Sequence, residues 1–128
     1  MGAARSNRDR VLQIARWLAV TFPTPFPTVV KPVKKIAAMP GADSLQRRIG
    51  DYGETYRQGP KIIIRIAVRP GISRSSVVDS ILHEWAHALQ GDRRMECVGG
   101  HDDEWALAYG RIYRRFHDDG GSTASAEY

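Results

Sequence analysis

"SRSSVVDSILHEWAHALQG", residues 73–91, decides how the rest of the chain is read. Val77, Val78, Ile81, Leu82, Trp85, Ala88 and Leu89 make it a helix that is apolar over much of its circumference. Such a helix belongs in the middle of a domain. A serine among residues 73–76 can cap its start, and Gly91 stands where a glycine commonly ends a helix. Into this buried helix the sequence places His83, Glu84 and His87. Three such groups are costly to bury without partners, and packing alone gives no reason for them.

A metal supplies the reason. Residues 83 and 87 lie about 40° apart around a helix and one turn along it. Both imidazoles can therefore reach one ion at about 2.0–2.1 Å. Glu84 is rotated by about 100° from His83, beside the ligands and not among them. This is the division of labour of an H-E-x-x-H zinc hydrolase site. The ion makes water acidic near neutral pH, and the carboxylate takes its proton as the water attacks a carbonyl.

Catalytic zinc takes three protein ligands and keeps one position open. The chain has four histidines, His83, His87, His101 and His117. A third histidine six residues after the second would fall on Arg93, so that spacing is absent. His101 follows Gly99-Gly100, where a chain can reverse sharply, and is the favoured third ligand. Glu104 and Glu96 are the alternatives. His117 reads as a surface or helix-end residue.

Working outward, "RDRVLQIARWLAV" (8–20) reads as an amphipathic helix with Val11, Leu12, Ala15, Leu18 and Ala19 on its apolar stripe and Arg10 largely off it. "TFPTPFPT" is an extended connector, since its prolines forbid a regular helix. "VVKPVKKIA" (29–37) is a strand that Pro32 assigns to a sheet edge. "MPGADS" reads as a turn. Residues 45–68 read as two strands around "QGP", the second running from Lys61 to Val68. In that strand Ile62, Ile64, Ile66 and Val68 share one face, and Lys61, Ile63, Arg65 and Ala67 the other. "DRRMECVGG" is a loop. "DDEWALAYGRIYRRFH" (102–117) is a further helix with Asp102 or Asp103 as cap and acidic residues in its first turn. Tyr109 and Tyr113 on it are candidate oxyanion stabilisers, though they equally suit half-buried positions alongside Leu107 and Ile112. Residues 118–128 read as a polar disordered tail, leaving one domain over 1–117.

Composition bounds the function. The chain of 128 residues is 42% hydrophobic and 26% charged, as expected for one globular domain. No apolar run has the length of a membrane span, and "MGAARSNRDR" has no apolar core of a secretory signal. The single cysteine, Cys97, excludes a disulfide framework and a Cys-rich zinc ribbon within this chain, and it suits a reducing, cytoplasmic setting. The net charge of +5 is uneven: residues 1–74 carry +10 and residues 75–128 carry −5. The basic part is a candidate surface for phosphates. Arg47, Arg48 and Lys61 are its foremost candidate nucleic-acid contacts, with Arg57, Arg65, Lys34 and Lys35 nearby in sequence. The same charge also suits a surface that merely solubilises.

"ILHEWAHALQ", a gap of about a dozen residues, and then "HDDEWALAYGRIYRRF" together resemble the SprT-like (Spartan-type) family of zinc metalloproteases. In that family an HExxH helix precedes a His-Gly-x-x-Phe/Trp segment that opens the next helix. His101 and Trp105 match its histidine and aromatic positions, and Asp102 stands where the family has Gly. "RRIGDYGETYRQGPKIIIRI" resembles the strand pair ahead of the active-site helix, so the likeness spans roughly residues 8–117. The resemblance implies a small zincin-like α+β fold: an N-terminal helix, a short antiparallel sheet, the HExxH helix and a C-terminal packing helix. It implies one zinc on His83, His87 and His101, with Glu84 as catalytic base. It also implies a peptidase whose protein or peptide substrates are in some members DNA-associated. The competing expectation is a zinc-stabilised module that binds nucleic acid or protein with little hydrolysis.

Overall fold

The computed structural model describes residues 6–34, 36, 52–90 and 103–118. Within them the chain runs α1 (Asn7–Thr21), β1 (Thr28–Val33), β2 (Gly53–Gln58), β3 (Lys61–Ala67), α2 (Arg74–Leu89) and α3 (Asp103–Asp118). Three helices and a three-stranded sheet make an α+β arrangement. Among the described residues, no helix is long and apolar enough to cross a membrane.

Each helix begins for a local reason. Ser6 caps α1 by accepting from the Asp9 amide at 3.1 Å. Ser73 caps α2 by accepting from the Ser76 amide at 3.1 Å, as the serine run predicts. Asp103 and Glu104 occupy the first turn of α3, where carboxylates favour the helix dipole. The apolar stripe of α1 is narrower than the sequence reading: Val11, Ile14 and Leu18 are buried, Leu12 and Ala15 only partly, and Ala19 is exposed. Arg10, expected off the stripe, is 1% exposed. Its guanidinium carbon lies 6.0 Å from the Phe116 ring centre, so an aromatic face and a long alkyl stem accommodate a charge that sequence periodicity sends to solvent.

The sheet order is β1-β3-β2. Pro32 does lie on an edge strand. The sheet, however, is mixed and not antiparallel: β2 pairs antiparallel with β3, but β1 pairs parallel with it, Val30 opposite Ile64. The physical reason is the long stretch between β1 and β3, since a parallel pair needs a crossover of a dozen or more residues and this chain has them. The β2–β3 hairpin closes at Gly59-Pro60, between Gln58 and Lys61. Gly59 has φ +61, open to glycine at no steric cost.

In β3 the residues Ile62, Ile64 and Ile66 join Val77, Ile81, Leu82, Trp85, Ile14, Leu18, Ile112 and Phe116 in one core. Ile63 is also buried, 1% exposed, although it belongs to the strand's other face. α2 packs against α1, α3, β2 and β3, the central position its all-round apolarity requires. The Trp85 indole nitrogen donates to the Phe22 carbonyl at 2.9 Å and ties α2 to the end of α1. Leu107, expected among the packed residues of α3, is 65% exposed, and the face that packs is Ile112 and Phe116. Ile64→Ala is therefore expected to destabilise the fold by about 2–5 kcal/mol, and Leu107→Ala by no more than about 0.5 kcal/mol. The urea midpoints of the two variants check this ranking.

Candidate metal centre

α2 presents His83 and His87 on one side, one turn apart. His87 is buried and His83 partly so. Their ring centres lie 5.2 Å apart with the planes at 64°. Two imidazoles bound to one tetrahedral ion at about 2.0–2.1 Å would have ring centres about 5 Å apart, so the pair fits a shared metal.

α3 covers this pair. The Trp105 ring centre is 4.8 Å from that of His83 and 5.5 Å from that of His87. Its indole nitrogen donates to the His83 carbonyl at 3.4 Å. Tyr109 stacks on Trp105, with centres 5.1 Å apart and planes 6° from parallel, and its ring is 6.0 Å from that of His83. The Tyr109 hydroxyl donates to the Asp79 carboxylate. Burial first, then that bond and the Asp79 charge, push the Tyr109 phenol well above its usual range. It therefore stays a neutral donor. Tyr113 lies farther out, its ring 6.0 Å from that of Tyr109, and is 47% exposed.

Glu84 lies between the sheet and His83. It is 4% exposed. Thr55 on β2 donates to its Oε1 at 2.6 Å, and Oε2 lies 3.9 Å from His83 Nε2. Burial raises the Glu84 carboxyl to about 7; the Thr55 hydrogen bond opposes the shift and the Glu54 charge adds to it. Gly53 makes room for it: a Cβ at that position would lie 3.0 Å from Glu84 Cγ. Glu54 on the other face of β2 pairs with Arg65 at 2.9 Å. Burial still leaves its carboxyl raised, outweighing the guanidinium.

The sequence reading identified the two imidazoles, Glu84 and the aromatic at 105. It missed Gly53, Thr55 and Asp79. Asp79 carried a signal, since it lies one turn before His83 on the same helix. Gly53 and Thr55 carried only a weak one, a strand alternation that puts both on the face shared with their register partners Ile66 and Ile64. Among the described residues, no group of three His, Cys, Asp or Glu side chains gathers for a metal. Glu104 is thus not brought to the two imidazoles; it lines a groove with Phe22, Leu89, Gln90, Ala108 and Arg111. His101 and Glu96 lie outside the described residues, as do the Asp102 cap, Gly91, Cys97, the two loops read at 39–44 and 92–100, and the tail beyond Asp118.

The basic part is only partly placed. Arg47, Arg48 and Lys35 lie outside the described residues. Lys31, Lys34 and Lys61 are exposed. Arg65 is committed to Glu54. Arg57 is committed to the Phe26 ring, 4.2 Å from its centre, and to the Gly59 carbonyl at 2.9 Å. No family model matches this chain, and no curated protein or solved structure matches it significantly.

Proposed function

We propose that this protein is a zinc-dependent endopeptidase, zincin-like in fold and akin to the SprT-like enzymes its motifs resemble. The observation that carries the reading is Glu84: a buried carboxyl beside two imidazoles suited to one ion, with one oxygen 3.9 Å from His83. A purely structural zinc site closes with four protein ligands and needs no such group. An ionisable side chain held in a dry site at a cost to stability is what a general base requires.

His83, His87 and His101 would hold one zinc. Zinc supplies Lewis acidity, polarising a peptide carbonyl and making water a nucleophile near neutral pH. Glu84 takes the proton of the attacking water on its free oxygen and passes it to the leaving amine. A carboxylate can do both, taking the proton as a base and giving it back as an acid. Tyr109 is the nearer of the two tyrosines to His83, and it serves the oxyanion only if its hydroxyl leaves the Asp79 carboxylate that now takes its single proton. β2 is the edge strand beside Glu84 among the described residues, and an extended substrate can pair its backbone there. DNA-associated proteins are the proposed substrates, with Lys61, Arg47 and Arg48 bringing the enzyme to nucleic acid.

The test is direct. Zinc-loaded protein is incubated alone, with single-stranded DNA and with double-stranded DNA, and both self-cleavage and cleavage of a basic DNA-binding protein are followed. The reading expects cleavage that a chelator abolishes. Zinc bound at one per chain with no cleavage under any condition would favour a binding module instead.

A further inference from the structure

Thr55 does something to Glu84 that no feature of the helix motif requires. Its hydroxyl oxygen lies 2.6 Å from Glu84 Oε1 and 3.2 Å from the Glu84 backbone carbonyl. A hydroxyl has one proton, and the shorter contact, to the carboxylate, is the charge-assisted one. The terminal torsion of a glutamate is broad and roughly two-fold, so a carboxylate on its own has no fixed orientation. One donor on Oε1 removes that freedom and leaves Oε2 on the His83 side, 3.9 Å from Nε2. Gly53, two residues earlier on the same face of β2, closes the other side. A Cβ there would lie 3.0 Å from Glu84 Cγ and 3.3 Å from Oε2. Gly53 is not among the glycines with positive φ, so its backbone accepts alanine, and what the added methyl meets is the Glu84 side chain together with Ile66 Cδ1 at 3.2 Å.

We infer that Thr55 is a positioning residue, which with the space left by Gly53 clamps one oxygen of Glu84 to the sheet and aims the other at the metal side. The inference rests on the proposed peptidase reading, in which Glu84 is the base. The hydroxyl does not touch substrate. It acts through Glu84, so its removal lowers the rate of the chemical step and leaves substrate binding and zinc binding as they were.

Thr55→Val keeps the shape and the strand preference and deletes the donor. Thr55→Ser keeps the donor. With zinc content equal in all proteins, Thr55→Val is expected to lower kcat about tenfold or more, as loss of an outer-shell partner commonly does, with KM unchanged within about twofold. Thr55→Ser is expected to restore most of kcat, and Gly53→Ala to lower it. A second readout needs neither zinc nor activity. In metal-free protein with carboxyl-¹³C glutamate, the Glu84 resonance, assigned by its loss in Glu84→Gln, should move in Thr55→Val and return in Thr55→Ser. Wild-type kcat in Thr55→Val, or an unmoved resonance, overturns the inference. If Thr55→Val does not fold, wild-type kcat in Gly53→Ala overturns it instead. Hydrolysis absent from the wild type itself overturns the peptidase reading and the clamp's role with it, whereas hydrolysis that ignores both substitutions overturns the clamp alone.

Discussion

Glu84→Gln is expected to fold, to hold zinc at the wild-type level, and to lose at least about a hundredfold in kcat, the scale on which a positioned general base contributes. The amide is nearly the same size, and its oxygen can still accept from the Thr55 hydroxyl that now reaches Oε1 at 2.6 Å. It cannot take a proton from water. Activity within a few-fold of wild type would remove Glu84 from the role of base. The same substitution has a second consequence in the metal-free protein. Burial raises the Glu84 carboxyl from 4.5 to about 7. Between those values the folded protein keeps a proton that the unfolded chain has released, so stability falls as pH rises through that window and levels off above it. The Glu84→Gln variant has no such group to ionise, so this part of the decline disappears. Thermal melts in chelator at acidic and mildly alkaline pH measure the difference. Equal pH dependence in the two proteins would show that Glu84 ionises in the fold without penalty.

Zinc binding is the second large effect. The wild type is expected to hold about one zinc per chain, and His83→Ala, His87→Ala and His101→Ala each to weaken it by more than about a hundredfold, beyond the 10–100-fold typical of an outer-shell loss. His117→Ala is the control: that residue is exposed near the end of α3, its ring against Tyr113. His87→Ala also removes a buried ring from under Trp105. Its metal-free stability must therefore be measured separately, so that loss of zinc is not confused with loss of fold. Metal content by mass spectrometry and competition with a chromophoric chelator read the outcome. Full zinc retention in His101→Ala would move the third ligand to Glu104 or Glu96. Retention in His83→Ala or His87→Ala would remove the metal centre altogether.

How far this site could be read without coordinates follows from where its parts lie along the chain. His83, Glu84 and His87 are within five residues of one another on a helix whose pitch is known, so their mutual placement needs no tertiary information. Trp105 was legible through the resemblance, because its spacing from the motif is itself a pattern. Thr55 was not. It is 29 residues from Glu84, in a strand where threonine is an ordinary β-former. Strand alternation gives its face but not its partner.

Local sequence accounts for much of the secondary structure, though not every end of it. The serine caps, the alternation of isoleucines in β3, the proline that confines β1 to an edge, and the pairing of two imidazoles on one helix all follow from covalent geometry and from interactions over a few residues. The strand read at 29–37, by contrast, ends at Val33. The tertiary structure alone decided that β1 runs parallel to β3, that Arg10 is buried against Phe116, and that Thr55 and Gly53 meet Glu84. Those outcomes depend on the path the chain takes between elements. Local spacing fixes which face a side chain occupies, and only the packing of distant segments fixes what that face meets.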